Sequence, residues 1–127
     1  MKKIFLLLTL FISGIAAQAQ KAEWKEMKDF HAVMSATFHP AEENNLQPLK
    51  EKAAELEAKA KLWQQSAVPA GFNALVTKPI LKKLLQQCKL IKKSVNNKKP
   101  DTVLKEEITA AHETFHEIME KCREESH

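Results

Sequence analysis

The sequence contains no tyrosine, only two cysteines and only two glycines, and Gly71 is the sole glycine beyond the first twenty residues. So little glycine leaves almost no hairpin or tight-turn chemistry, which argues against a sandwich or barrel. Two cysteines are too few for a disulfide-stapled scaffold. There is no glycine-rich phosphate loop and no strand-turn-helix nucleophile motif, so the common hydrolase and nucleotide-handling enzymes lack their signatures and a non-enzyme is expected. The longest apolar run, Ile4 to Ile15, is broken by Thr9, Ser13 and Gly14 and is short for a bilayer span. What remains is rich in Ala, Leu, Glu and Lys, the strongest helix formers, and 127 residues suit one domain.

The N-terminus reads as a cleavable leader. Lys2 and Lys3 give a basic start, the apolar run follows, and Ala17-Gln18-Ala19 is a small-x-small cleavage site. The expected organisation is a signal peptide over residues 1–19 and a single domain over residues 20–127. No cysteine follows the cleavage site, so a lipid anchor is not supported, and a periplasmic or secreted location is expected. Removing Lys2 and Lys3 lowers the formal charge from +4 to about +2, so the pI of 9.1 is no nucleic-acid signal. The lysines read as interleaved with acids on solvated helix faces. No integral membrane segment is expected in the mature chain.

Four segments carry mostly apolar residues at three- and four-residue steps, each marking one helix face. They are Trp24, Met27, His31, Met34 and Phe38; then Leu46, Leu49, Ala53, Leu56, Ala60 and Trp63; then Leu81, Leu84, Cys88, Ile91 and Val95; then Leu104, Ile108, Ala111, Phe115, Ile118 and Cys122. Pro40 is expected to end the first helix, because the residue before a proline avoids the helical region. Pro48 suits the first turn of the second helix. Val68-Pro69-Ala70-Gly71 ends that helix, and a longer linker runs to Pro79. Asn96 to Pro100 forms the third turn, with Asp101 or Thr102 as the cap of the last helix. Short connections make neighbours antiparallel, so the fold class is all-α, an antiparallel up-down-up-down four-helix bundle.

An exported protein with two cysteines invites a disulfide, but the spacing opposes it. With the last two helices folded near Lys98, Cys88 lies level with Ile108, and Cys122 is 14 residues further on. That is roughly 21 Å along a helix, against the 7 Å or less between Cα atoms that a disulfide needs.

The histidines and methionines concentrate on two helices that this topology makes neighbours. The first carries Met27, His31, Met34 and, at its end, His39, followed by Glu42 and Glu43; the last carries His112, His116 and Met119. His112 and His116 are one turn apart, on the flank of the face defined by Ala111 and Phe115, and two imidazoles so spaced can chelate one transition-metal ion. His31, His112 and His116 are the expected core ligands, with His39 as a fourth. Met27, Met34, Met119 and Glu43 are additional candidates. Zinc, copper or nickel suits imidazole, and thioether sulfur shifts the preference toward Cu(I) or haem iron. Glu113-Thr114-Phe115-His116 is one Glu-x-x-His pair of the di-iron type. Its counterpart on the first helix, Lys28-Asp29-Phe30-His31, has lysine in place of the glutamate, so that site is incomplete. His127 is terminal and expected to be solvated.

The layout resembles the periplasmic four-helix-bundle cytochromes, the group of cytochrome c-prime and the b-type bundle cytochrome. Met27 near the mature N-terminus, the Leu62-Trp63-Gln64-Gln65-Ser66 stretch, the proline-bearing linker and the histidine-bearing last helix carry the likeness. The resemblance implies non-covalent haem b in an electron-transfer protein, with Met27 and His116 similar to the family's ligand positions and His31 and His112 as the alternatives on the same two helices. Ala111-His112 is similar to the end of the C-x-x-C-H haem-attachment motif, but Ile108 and Ala111 stand where the cysteines would be, which excludes covalent attachment through it. Three functions follow as expectations. The first is an exported bundle binding a transition-metal ion through histidines of the first and last helices, for storage, sensing or delivery. The second is a haem b protein, and the third a cofactor-free bundle that binds a protein partner. A homodimer is a further candidate, since such bundles commonly pair.

Overall fold

The computed structural model describes residues 23–122. The expected leader with its cleavage site, and His127, lie outside the described residues. The chain forms α1 (Lys25–Glu42), α2 (Gln47–Gln65), α3 (Ala74–Asn96) and α4 (Asp101–Lys121). Each helix packs on the next and α4 closes against α1, the loosest of the four seams. The ends fix the directions. Trp24, just before α1, donates its indole N–H to Ser66 after α2 (2.9 Å), Asn73 N–H donates to Cys122 O (2.8 Å), and Lys105 Nζ reaches Asn44 Oδ1 (2.9 Å). The fold is the expected up-down-up-down bundle, and no helix among the described residues is long and apolar enough to cross a membrane.

The seams of α2 and α4 are buried throughout, as is that of α3 apart from the half-buried Val95. Phe30, Trp63 and Phe115, from α1, α2 and α4, meet at the centre with ring centroids 5.4–5.8 Å apart. Burying each large side chain contributes roughly 1.5–3 kcal/mol. Cys88 and Cys122 are both free and buried, in line with the spacing argument. Burial, with the Glu57 carboxylate nearby, pushes the Cys88 thiol up to about 12, which keeps it protonated and unreactive.

Four sequence expectations are corrected. His31 is not part of the α1 seam: Phe30 takes the interior position and His31 is exposed. Both residues lie three or four places from Met27 and Met34, and burying the phenyl ring gains more than burying an imidazole with polar nitrogens to satisfy. Pro40 does not end α1 but sits in its last turn. The amide that proline lacks would have bonded the carbonyl of Ala36, which is exposed and can turn to water. Helix α1 stops instead where Asn44 turns left-handed (φ 66°), with Asn44 N–H donating to Ala41 O and Asn45 N–H to Pro40 O. Helix α3 starts before Pro79, at Ala74, because Asn73 Oδ1 accepts from the Leu75 and Val76 amides (3.0 and 3.3 Å). At the start of α4, Pro100 precedes Asp101 without any side-chain cap.

The expected interleaving of charges holds for α1 and α2 and fails for α3. That helix carries six lysines and no acid, whereas α4 carries six acids and two lysines.

Asn73 is therefore the one side-chain cap that fixes where α3 begins. Asn73→Ala should lower the unfolding free energy by about 1 kcal/mol, measured by urea denaturation. An unchanged midpoint would mean that packing of Phe72 and Thr77, not the cap, sets the helix start.

Candidate metal-binding seam between α1 and α4

Helix α4 presents Ala111, Thr114, Phe115 and Ile118 to the interior, which leaves His112 and His116 half-buried on the flank that meets α1. The two rings are held differently. His112 lies flat on Phe38 of α1, with centroids 3.7 Å apart and planes 7° from parallel. His116 is anchored one turn along its own helix, its Nδ1 2.9 Å from Glu120 Oε2. The rings meet at 66°, and their Nε2 atoms approach to 3.2 Å.

That separation has two chemical readings. Without an ion, His116 donates its Nδ1–H to the Glu120 carboxylate, and its Nε2 lone pair accepts from His112 Nε2–H; this assignment of protons follows from the network. With an ion, each Nε2 would give its lone pair to the metal in place of the hydrogen bond. Two nitrogens bound at 2.0–2.1 Å with a tetrahedral angle lie about 3.3 Å apart, close to the observed spacing. The Glu120 carboxylate on the remote nitrogen is the usual outer partner of a metal-ligating histidine. A shallow groove of about 350 Å³, lined by His112, Glu113, His116, Glu117, Glu120 and Lys121, opens beside the pair.

The other candidates divide. His39, on the last turn of α1, is exposed, with Nδ1 3.3 Å from Glu42 Oε1. Its neighbour Phe38 stacks on His112, so this end of α1 lies beside the pair, and the charges of His39 and Glu42 both act on His112. Glu42 is the carboxylate of this turn whose charge acts on His112. His31 lies over Phe115 at 5.1 Å, and Phe115 in turn meets the His116 ring edge-on at 5.9 Å. Met27 and Met34 are buried in the core, and Met119 packs half-buried against it. Among the described residues no set of three or more His, Cys, Asp or Glu side chains converges on a common metal position. The bundle brings two imidazoles together and holds a third histidine, with its carboxylate, within electrostatic range.

Sequence reasoning missed Glu120 and the role of Phe38. Glu120 could have been found by stepping four residues along α4 from His116. The seam position of Phe38 marks it only as a core residue. Comparison with known protein families, characterised proteins and solved structures gives no match for this chain.

The His112 pKa is lowered, first by partial burial and then by the neighbouring His116, with His39 adding to the effect and Glu42 and Glu113 opposing it. Neutral imidazole is therefore favoured, the form a metal requires. In the unfolded chain His112 takes up its proton near pH 6.5, while the folded form resists until lower pH. The unfolded state then binds more protons across that window. The His112 contribution to stability is thus complete above about pH 6.5 and declines as the pH falls through its folded value. Urea midpoints of the wild type should fall more steeply than those of His112→Gln between about pH 7 and 5. An NMR titration placing His112 at or above the ordinary histidine value would contradict this.

Proposed function

We propose that the mature chain is an exported four-helix bundle that binds a transition-metal ion through Nε2 of His112 and His116. The 3.2 Å approach of those two nitrogens carries the reading. The Phe38 stack and the Glu120 carboxylate support it, because they fix both rings before any ion arrives. Pre-set ligands lose little freedom on binding. His39 is the natural third ligand: it is exposed on the facing turn of α1, and a side-chain rotation frees it from Glu42. Water fills the remaining positions. Two or three imidazoles with water suit Cu(II), Ni(II) or Zn(II), in the usual order of affinity with copper strongest. An ion that is half-open to solvent fits delivery or buffering better than permanent structural ligation.

The metal reading is preferred over haem b. Haem needs a flat apolar slot between α1 and α4, and the Phe30, Trp63 and Phe115 rings pack together in that interior. Met27, the expected axial sulfur, is buried in the core.

Calorimetric titration of the metal-free mature protein with Cu(II), Ni(II) and Zn(II) should give one equivalent bound. His112→Ala with His116→Ala should abolish it, and His39→Ala should weaken it without abolishing it. At a hundredfold excess over Kd the ion should raise the unfolding free energy by about 2.7 kcal/mol. Equal uptake by the wild type and the double variant would refute the site. A Soret band on purification would replace the ion with haem.

A further inference from the structure

Helix α3 has a property that the metal site does not use. No acidic residue occurs between Glu57 and Asp101, and ten lysines do. Of those on α3 and the following turn, only Lys92 reaches a carboxylate, Glu57 at 3.5 Å. Lys78, Lys82, Lys83, Lys89, Lys93, Lys98 and Lys99 are exposed, with no carboxylate within ion-pair distance among the described residues. A solvated helix face would interleave signs, as α1 and α2 do.

The same helix exposes apolar side chains. Four large hydrophobic residues are exposed in the described chain, and three are on α3: Leu75 at 88%, Leu90 at 49% and Val76 at 43%. Leu75, Pro79, Lys82, Lys83, Gln86, Leu90 and Lys93 recur at steps of three and four, so they share the stripe opposite the buried Leu81, Leu84, Cys88 and Ile91. From Leu75 to Lys93 this ridge is about 27 Å long. Because α3 packs between α2 and α4, its outer side faces away from α1 and from the histidine pair.

We infer that the outer ridge of α3 docks the protein on an anionic lipid bilayer. Lysines attract the negative headgroups, their alkyl stems lie along the interface, and Leu75 and Leu90 enter the boundary with the acyl chains. The exposed leucines favour a bilayer over nucleic acid, whose phosphates reward the lysines but give the leucines nothing to bury in. The ridge also lacks the arginines and exposed aromatic rings that would grip bases. The acids of α4 give the molecule a negative side, which orients the positive ridge toward the membrane. Docked this way, the groove beside His112 and His116 faces away from the lipid, so the surface does not depend on an ion being bound.

The test is co-sedimentation of the mature chain, residues 20–127, with phosphatidylcholine vesicles and with vesicles holding one part phosphatidylglycerol in four. Binding should be at least about tenfold tighter to the anionic vesicles and should weaken sharply in half-molar salt. K82E/K83E/K93E should reduce it at least about a hundredfold. Leu75→Ser with Leu90→Ser should reduce it severalfold while leaving the salt dependence unchanged. All five substitutions are on exposed positions, and circular dichroism with thermal melting verifies that each variant folds. Equal sedimentation with both vesicle types, or unaltered binding by the charge-reversed variant, would overturn the proposal. So would binding of a DNA duplex as tight as that of the anionic vesicles and indifferent to the two serine substitutions, which would assign the ridge to nucleic acid.

Discussion

Three aromatic rings hold this bundle in register. Phe30, Trp63 and Phe115 come from three different helices and meet within 6 Å of one another. Sliding any of these helices by one turn would separate the rings and open a cavity, a large loss in an interior packed as densely as a crystal. The α1–α4 seam depends most on this lock, because it has the least contact of its own. With Phe30 against Phe115, Phe38 comes level with His112 and His31 with Phe115. The histidine pair inherits its position from the aromatic core.

The pair itself combines two kinds of restraint. Phe38 fixes the plane of His112 by stacking, and Glu120 fixes the rotation of His116 by a hydrogen bond. One restraint is apolar and comes from another helix; the other is polar and comes from the same helix. Both rings are thereby kept with their Nε2 atoms facing each other. Partial burial and the mutual repulsion of two imidazolium charges favour the neutral form of His112. Order and protonation state thus act in the same direction, toward two neutral imidazoles held Nε2 to Nε2.

The charges are also divided by the topology. Helices α3 and α4 are neighbours, one acid-free and one mostly acidic, yet only Ser94 with Glu107 joins their polar faces by a hydrogen bond (3.0 Å) among the side-chain bonds described. Apart from Lys92, which reaches Glu57, the lysines of α3 are exposed and make no ion pair among the described residues. A formal net charge of only +4 therefore conceals a polarised molecule, and the basic pole is where three of the four exposed large hydrophobic residues are.

The number of helices, their seams, the antiparallel order and the separation of the two cysteines were legible in the sequence, because each follows from local periodicity and from chain length per turn. His112 and His116 were legible as a pair for the same reason: four residues make one turn. The errors arose where two local rules agreed with more than one structure. Phe30 and His31 both fit the α1 seam, and only packing against Trp63 and Phe115 decided between them. Pro40 and Pro79 both looked like boundaries, and only the αL turn at Asn44 and the Asn73 cap decided where the helices end and begin. Stacking of Phe38 on His112 and the meeting of Phe30, Trp63 and Phe115 are relations between helices. No periodicity within one helix encodes them; they exist only once the core has fixed how each helix is rotated against its neighbours.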